Sequence, residues 1–141
     1  MAERDYSAIV GSLMDDMKRR DLKAWVQRYS ANATHWDPTL PEPMGRENFE
    51  ESIGVYLRAF PDMTMECTKV FGAGDSLVYE WVGRGTHTGP LAGPQGEIPP
   101  TGRRIDVQGC TVIRLNAAGL IAEEREYWDS ASMMQQLGLM P

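Results

Sequence analysis

From Ser7 to Arg20 the apolar residues Ile9, Val10, Leu13, Met14 and Met17 recur three and four positions apart, which predicts an amphipathic helix. Asp5 or Ser7 can cap its start. Asp21 opens a second helix with Leu22, Trp25, Val26 and Tyr29 on its apolar side, and so short a link implies a helical hairpin or a sharp bend. Ala33–Asp37 reads as a short strand, and the proline-rich segment after it as a rigid loop. Gly45-Arg46-Glu47-Asn48 opens a third helix, with Phe49, Ile53, Leu57 and Phe60 at helical spacing and Pro61 as its stop. From Met63 onward the period shortens to that of strands. Met63–Phe71 and Leu77–Thr88 flank a hairpin turn at Gly72–Asp75. The segment 88–101 holds four prolines and three glycines and reads as a long loop with a lid or interface role. Arg103–Leu115 is a long strand, Asn116–Gly119 a turn, the tail through Asp129 a last strand, and Ser130–Leu137 a closing helix. Helices followed by strands define an α+β chain. The expected architecture is a single domain, 1–141, in which a curved antiparallel sheet, a four-strand meander, wraps around the N-terminal helices as a cone with an internal cavity.

The last hairpin carries the chemistry. Ile105, Val107, Gly109, Thr111, Ile113 and Leu115 share one face of the long strand, plainly the core face. An even turn pairs Leu115 with Leu120, Thr111 with Glu124, Gly109 with Glu126 and Val107 with Trp128. Glu124, Glu126 and Trp128 then face inward, while Arg125, Tyr127 and Asp129 face outward; an odd loop would reverse this. Gly109 would leave room beside Glu126. A carboxylate buried without a cation rises in pKa and can exchange protons near neutral pH. The plain alternative is a hydrogen-bonded core glutamate or a surface charge.

Composition narrows the partners. At 141 residues the chain can bury about two thirds of its extended surface, enough for one core and a pocket. Hydrophobic residues at 42% and charged ones at 24% are ordinary for a globular protein. A net charge of −6, with no basic cluster beyond Lys18-Arg19-Arg20 at a helix end, argues against nucleic acid. No stretch is apolar enough for a membrane span, and the start lacks the pattern of a signal peptide. Cys67 and Cys110 share no metal-ligand spacing and read as free thiols in a reducing, cytoplasmic setting; a disulfide between them is the alternative. With only His35 and His87, no histidine-rich metal site is expected.

Several segments, in order, carry a family resemblance: H-W-D-P-T-L-P-E-P, R-A-F-P-D-M, G-T-H-T-G-P, P-P-T-G-R-R, R-E-Y-W-D and Q-Q-L-G-L-M-P. Together they resemble the SnoaL-like polyketide cyclases of the nuclear transport factor 2-like superfamily. The resemblance implies a cone-shaped α+β barrel, a homodimer, no metal and no organic cofactor. It implies that an acid directly after an arginine on the last strand, here Glu126, acts as acid/base in an intramolecular aldol closure. The assisting histidine of the cyclases falls on Thr111. The related limonene-type epoxide hydrolases need R-x-D after the first hairpin, where this chain has Val82-Gly83-Arg84, so their mechanism is not expected. Their water-holding tyrosine and asparagine fall on His35 and Asp37, which, two apart on a strand, can face one cavity.

The expected site therefore gathers Glu126, Asp37, His35 and Arg84 as the reacting and polarising groups, with Tyr29, Thr111, Trp128 and Glu124 lining the substrate. A structural salt bridge at Arg84 and a satisfied core histidine at His35 are the alternatives. His87 is expected to anchor a loop, and Arg104 and Asp106 to serve the sheet surface. The expected activity is a cofactor-independent cyclisation or isomerisation of an apolar small molecule next to a carbonyl. A non-catalytic binding protein, or a hydrolase using a held water, is the alternative.

Overall fold

The structure, a computed structural model, describes residues 4–93 and 95–141. The first three residues and Pro94, and with them parts of the readings of the chain start and of the 88–101 loop, lie outside the described residues. Helices α1 (Tyr6–Lys18), α2 (Leu22–Gln27) and α4 (Ser130–Gln136) each begin after an aspartate whose side chain accepts a backbone N–H of the first turn. Asp5 is thus the cap of α1, and Asp129, expected outward on the last strand, is the cap of α4. α3 (Phe49–Ala59) follows a short 3-10 turn at Arg46–Asn48.

The sheet has six strands: β1 (Tyr29–Trp36), β2 (Met44–Gly45), β3 (Thr64–Ala73), β4 (Ser76–Thr86), β7 (Arg104–Leu115) and β8 (Ile121–Trp128), in spatial order β2-β1-β8-β7-β4-β3. β3, β4, β7 and β8 form the expected antiparallel meander. β1, however, begins at Tyr29 rather than Ala33 and lies parallel to β8, so the sheet is mixed. Tyr29 therefore belongs to a strand, not to the apolar side of α2. The 88–101 segment is not bare loop either. It folds into a small hairpin, β5 (Leu91–Gly93) with β6 (Gly96–Ile98), anchored by the buried Leu91. Its base is tied down: Thr88 N and Gly89 N donate to Ala59 O, and the buried His87 accepts from Thr101 N at 3.1 Å. His87 is the loop anchor that its place in G-T-H-T-G suggested.

The inner sheet face carries Leu77, Tyr79 and Trp81 on β4 and Ile105, Val107, Thr111, Ile113 and Leu115 on β7, packed on Val10, Leu13 and Phe60 from the helices and the α3 stop. The β7–β8 register differs by two residues from the simple hairpin count. Leu115 pairs with Ile121, and an irregularity next to it advances the pairing so that Thr111 meets Glu126 and Gly109 meets Trp128. A slip of two preserves facing, so Glu124, Glu126 and Trp128 still point inward. Gly109, however, does not make room for Glu126. A Cβ there would lie 2.4 Å from Trp81 Cζ2 and 2.8 Å from Tyr127 O, so the glycine exists for the Trp81 ring. Gly109→Ala should cost about 1–3 kcal/mol, measurable by urea unfolding, because the ring and the strand backbone must both shift; a loss below about 0.5 kcal/mol would mean the ring relocates freely.

Candidate active site

Between α1, α2, α3 and the inner sheet face lies a cavity of about 160 Å³. Most of its wall is apolar: Met14 and Met17 of α1, Trp25 of α2, Ile53 and Leu57 of α3, and Trp81 and Val107 of the sheet. Unbranched methionines are flexible and polarisable, so such a wall can adjust its outline. Against it stands one polar group of side chains on neighbouring strands.

The parallel pairing of β1 with β8 sets His35 directly beside Glu124. His35 Nδ1 lies 2.8 Å from Glu124 Oε1, and Nε2 lies 3.2 Å from Asp37 Oδ2. Both neighbours are carboxylates, which only accept when ionised, so both ring nitrogens carry hydrogen and the ring is an imidazolium. Burial works against that charge, but the hydrogen bonds to Asp37 and Glu124 outweigh it and push His35 up to about 10. Tyr29, fully buried, donates to Glu124 Oε2 at 2.6 Å. Asp37 accepts from Thr39 N at 2.8 Å and Thr39 Oγ1 at 2.5 Å. Burial opposes its charge, yet its bonds to His35 and Thr39 hold its carboxyl below the ordinary value. The row Tyr29–Glu124–His35–Asp37–Thr39 is thus satisfied from end to end.

Glu126 is the exception. Its carboxylate opens on the cavity and, among the described residues, has no hydrogen-bond partner. Protein encloses it, while the cavity itself leaves it half-buried by accessible surface. Burial, then the charges of Glu124 and Asp37, push it up to about 8, with the His35 charge partly offsetting them. It therefore gains and loses a proton close to neutral pH.

Not every expected residue joins this group. Arg84 does not: strand alternation puts it on the outer face of β4, where its guanidinium pairs with Asp106 at 3.0 Å and Glu66 at 3.6 Å, meeting the cavity at its exposed border. The surface salt bridge is its place in the structure. Thr111 is inward but fully buried behind Trp81, whose Nε1 donates to Thr111 Oγ1 at 3.0 Å, so it holds the wall rather than the contents. Glu124 and Tyr29 line the cavity with their polar atoms already committed to His35 and to each other. Trp128 lines it directly, edge-on to Tyr56 with ring centroids 6.3 Å apart.

Tyr56 and Ser52 were missed from the sequence. They stand one turn apart on α3, and their signal is a polar pair at i and i+4 within an apolar stripe. Burial, and the Asp37 charge after it, push the Tyr56 phenol up to about 12, so it stays a neutral donor. His35, Asp37 and Glu126 can bring one ligand atom each within 4.8 Å of one another. A metal there would have to displace a proton that His35 holds up to about 10, and break the His35 pairs, so this donor set fits a proton better than a divalent ion.

A curved six-strand sheet over N-terminal helices, with a polar row at the back of an apolar cavity, is the nuclear transport factor 2-like arrangement. Within it, the model of the SnoaL-like polyketide cyclase family matches residues 8–137, and the chain belongs to that family. Among solved structures it is similar to IdmH of Streptomyces antibioticus, described as a candidate polyketide cyclase, with a TM-score of 0.80 and 25% identity over 96% of this chain and 99% of that one. It is similar too to AclR of Streptomyces galilaeus, a candidate hydroxylase, at TM-score 0.83 and 20% identity over 97% and 83%. A third is a ketosteroid isomerase-fold protein of Catenulispora acidiphila in complex with trimethylamine, at TM-score 0.75 and 22% identity over 94% and 93%. Among curated proteins none matches the chain by sequence.

Proposed function

We propose that the chain is a cofactor-independent acid/base enzyme that moves a proton next to a carbonyl of an apolar, polyketide-like molecule, in aldol ring closure or isomerisation. The observation that carries this reading is Glu126, a carboxylate without a hydrogen-bond partner among the described residues, facing an apolar cavity beside a row of groups with no spare capacity. Ionised Glu126 would take the proton from the carbon next to the carbonyl, leaving the C–H electrons as an enolate. The His35 charge and the neutral Tyr56 phenol would stabilise the enolate oxygen. Attack of the enolate carbon on a second carbonyl forms the ring bond, and Glu126 returns its proton to the new alkoxide. Asp37 and Glu124 act through His35, as positioning residues. Arg84 has no part in these steps.

Exchange of the α-hydrogens of 2-tetralone in deuterated water, followed by NMR, tests the reading without knowledge of the natural substrate. Folded protein should accelerate exchange over heat-denatured protein; no acceleration across a panel of bicyclic and tricyclic ketones sinks it. The second reading is a binding protein without chemistry, favoured by the trimethylamine complex of the Catenulispora relative. The homodimer and cytoplasmic setting belong to the same proposal. The stacked outer-face stripe of Trp36, Arg125 and Tyr127 supports the first, and the free thiols of Cys67 and Cys110 support the second.

A further inference from the structure

We propose that this cavity selects apolar molecules bearing one positive charge, a protonated or quaternary amine, with the cation seated against Glu126 and the aromatic faces around it. The proposal rests on the cavity described above but concerns binding, not turnover. Charge balance is the first support. Three carboxylates, Asp37, Glu124 and Glu126, meet one imidazolium, His35. Two of the three are neutralised or hydrogen-bonded within the row, and Glu126 is left over. The two arginines at the border cannot compensate it. Arg84 is turned outward to Asp106 and Glu66, and Arg20 donates to the carbonyls of Met17, Pro61 and Met63. A charge without a counter-ion in an apolar space attracts an opposite charge far more strongly than it would in water.

Aromatic faces are the second support. Trp25, Phe49, Tyr56, Trp81 and Trp128 line the same space. Ring faces are negative at their centres and hold weakly hydrated cations, quaternary ammonium above all. An anion would meet the opposite on both counts.

The groups facing Glu126 fix the pH dependence. They are Glu124 on its own strand, His35, Asp37 and Tyr29 from β1 and its end, Tyr79 from β4 and Tyr56 from α3. The tyrosines stay neutral and His35 stays charged up to about 10, while Glu126 is pushed up to about 8, so its charge changes between pH 6.5 and 9.

Choline, its uncharged carbon isostere 3,3-dimethylbutan-1-ol and the anion 3,3-dimethylbutanoate provide the test, titrated by amide NMR at pH 6.5 and 9. At pH 9 choline should bind at least about tenfold tighter than the alcohol, the equivalent of one charge contact. The anion should not bind, and the preference should shrink to about threefold or less at pH 6.5 as Glu126 takes a proton. Glu126→Gln, isosteric and neutral, should hold the preference at about threefold or less at both pH values, the share that the ring faces alone supply. The proposal is overturned if choline binds no tighter than the alcohol at pH 9 (absence of binding included), if the anion binds best, or if the full pH 9 preference survives in Glu126→Gln. Ketone exchange is read with uncharged probes, so it can fail or succeed independently.

Discussion

Glu126→Gln is expected to lower kcat by about 10²–10⁴-fold, the usual contribution of a positioned general base. Ligand affinity for uncharged molecules should stay within about threefold, because glutamine keeps the shape of the side chain. The pH profile should carry the signature of the site. In free enzyme the base must be ionised, so kcat/KM should rise with pH through about 8 and then fall as His35 loses its proton near 10. The same variant should be more stable than the parent at alkaline pH. The folded value of Glu126 lies above its ordinary 4.5, so folding favours the protonated form; stability is full below about 4.5 and is lost as pH rises through about 8. Glutamine has no proton to lose and escapes that penalty. A flat profile between pH 7 and 9, or a variant within threefold of the parent in turnover, would show that Glu126 is a passive wall residue.

Much of this site is legible in one strand of sequence. Alternation along E-E-R-E-Y-W-D, anchored by the apolar face of the strand before it, turns Glu124 and Glu126 inward whatever the exact partners, because errors of two residues leave facing unchanged. His35 and Asp37 come inward together for the same reason of period. What stays hidden is who meets whom across distance. The parallel seam between β1 and β8 joins residues 89 apart in sequence, His35 and Glu124, and no local pattern encodes it. Without that seam Glu124 reads as substrate lining and Arg84 as the partner of the acids. With it, His35 is the internal cation and Arg84 is not needed. Arg84 itself is a failure of parity: in β4 the inward set is Leu77, Tyr79, Trp81 and Gly83, which excludes residue 84 by simple counting. Grouping Arg84 with His35, Asp37 and Glu126 goes against that count. Tyr56 was lost differently, because a tyrosine in an apolar helical stripe looks like core until a cavity is seen beside it.

Removing the internal cation should have the largest effect on stability. His35→Ala leaves the carboxylates of Asp37 and Glu124 facing each other in a buried space, with Tyr29 and Thr39 as their remaining donors. Breaking a buried ion pair from one side costs about 3–5 kcal/mol. The parent gains from His35 most fully below its ordinary 6.5 and loses that gain as pH rises through about 10, so the comparison belongs at pH 7, where the imidazolium is intact. Urea unfolding at that pH should show most of the loss. At pH 5 the loss should be smaller, since the stranded carboxylates can then take up protons. Adding Glu124→Gln to His35→Ala should restore part of it by removing one of the two uncompensated charges; additive losses instead would mean the three groups are not coupled. The same variant tests the functional link. The His35 charge holds the Glu126 value down, so in its absence Glu126 should titrate higher and the rising limb of the pH–rate profile should move to more alkaline pH. A limb that stays in place would separate His35 from the acid/base group and leave it a structural cation only.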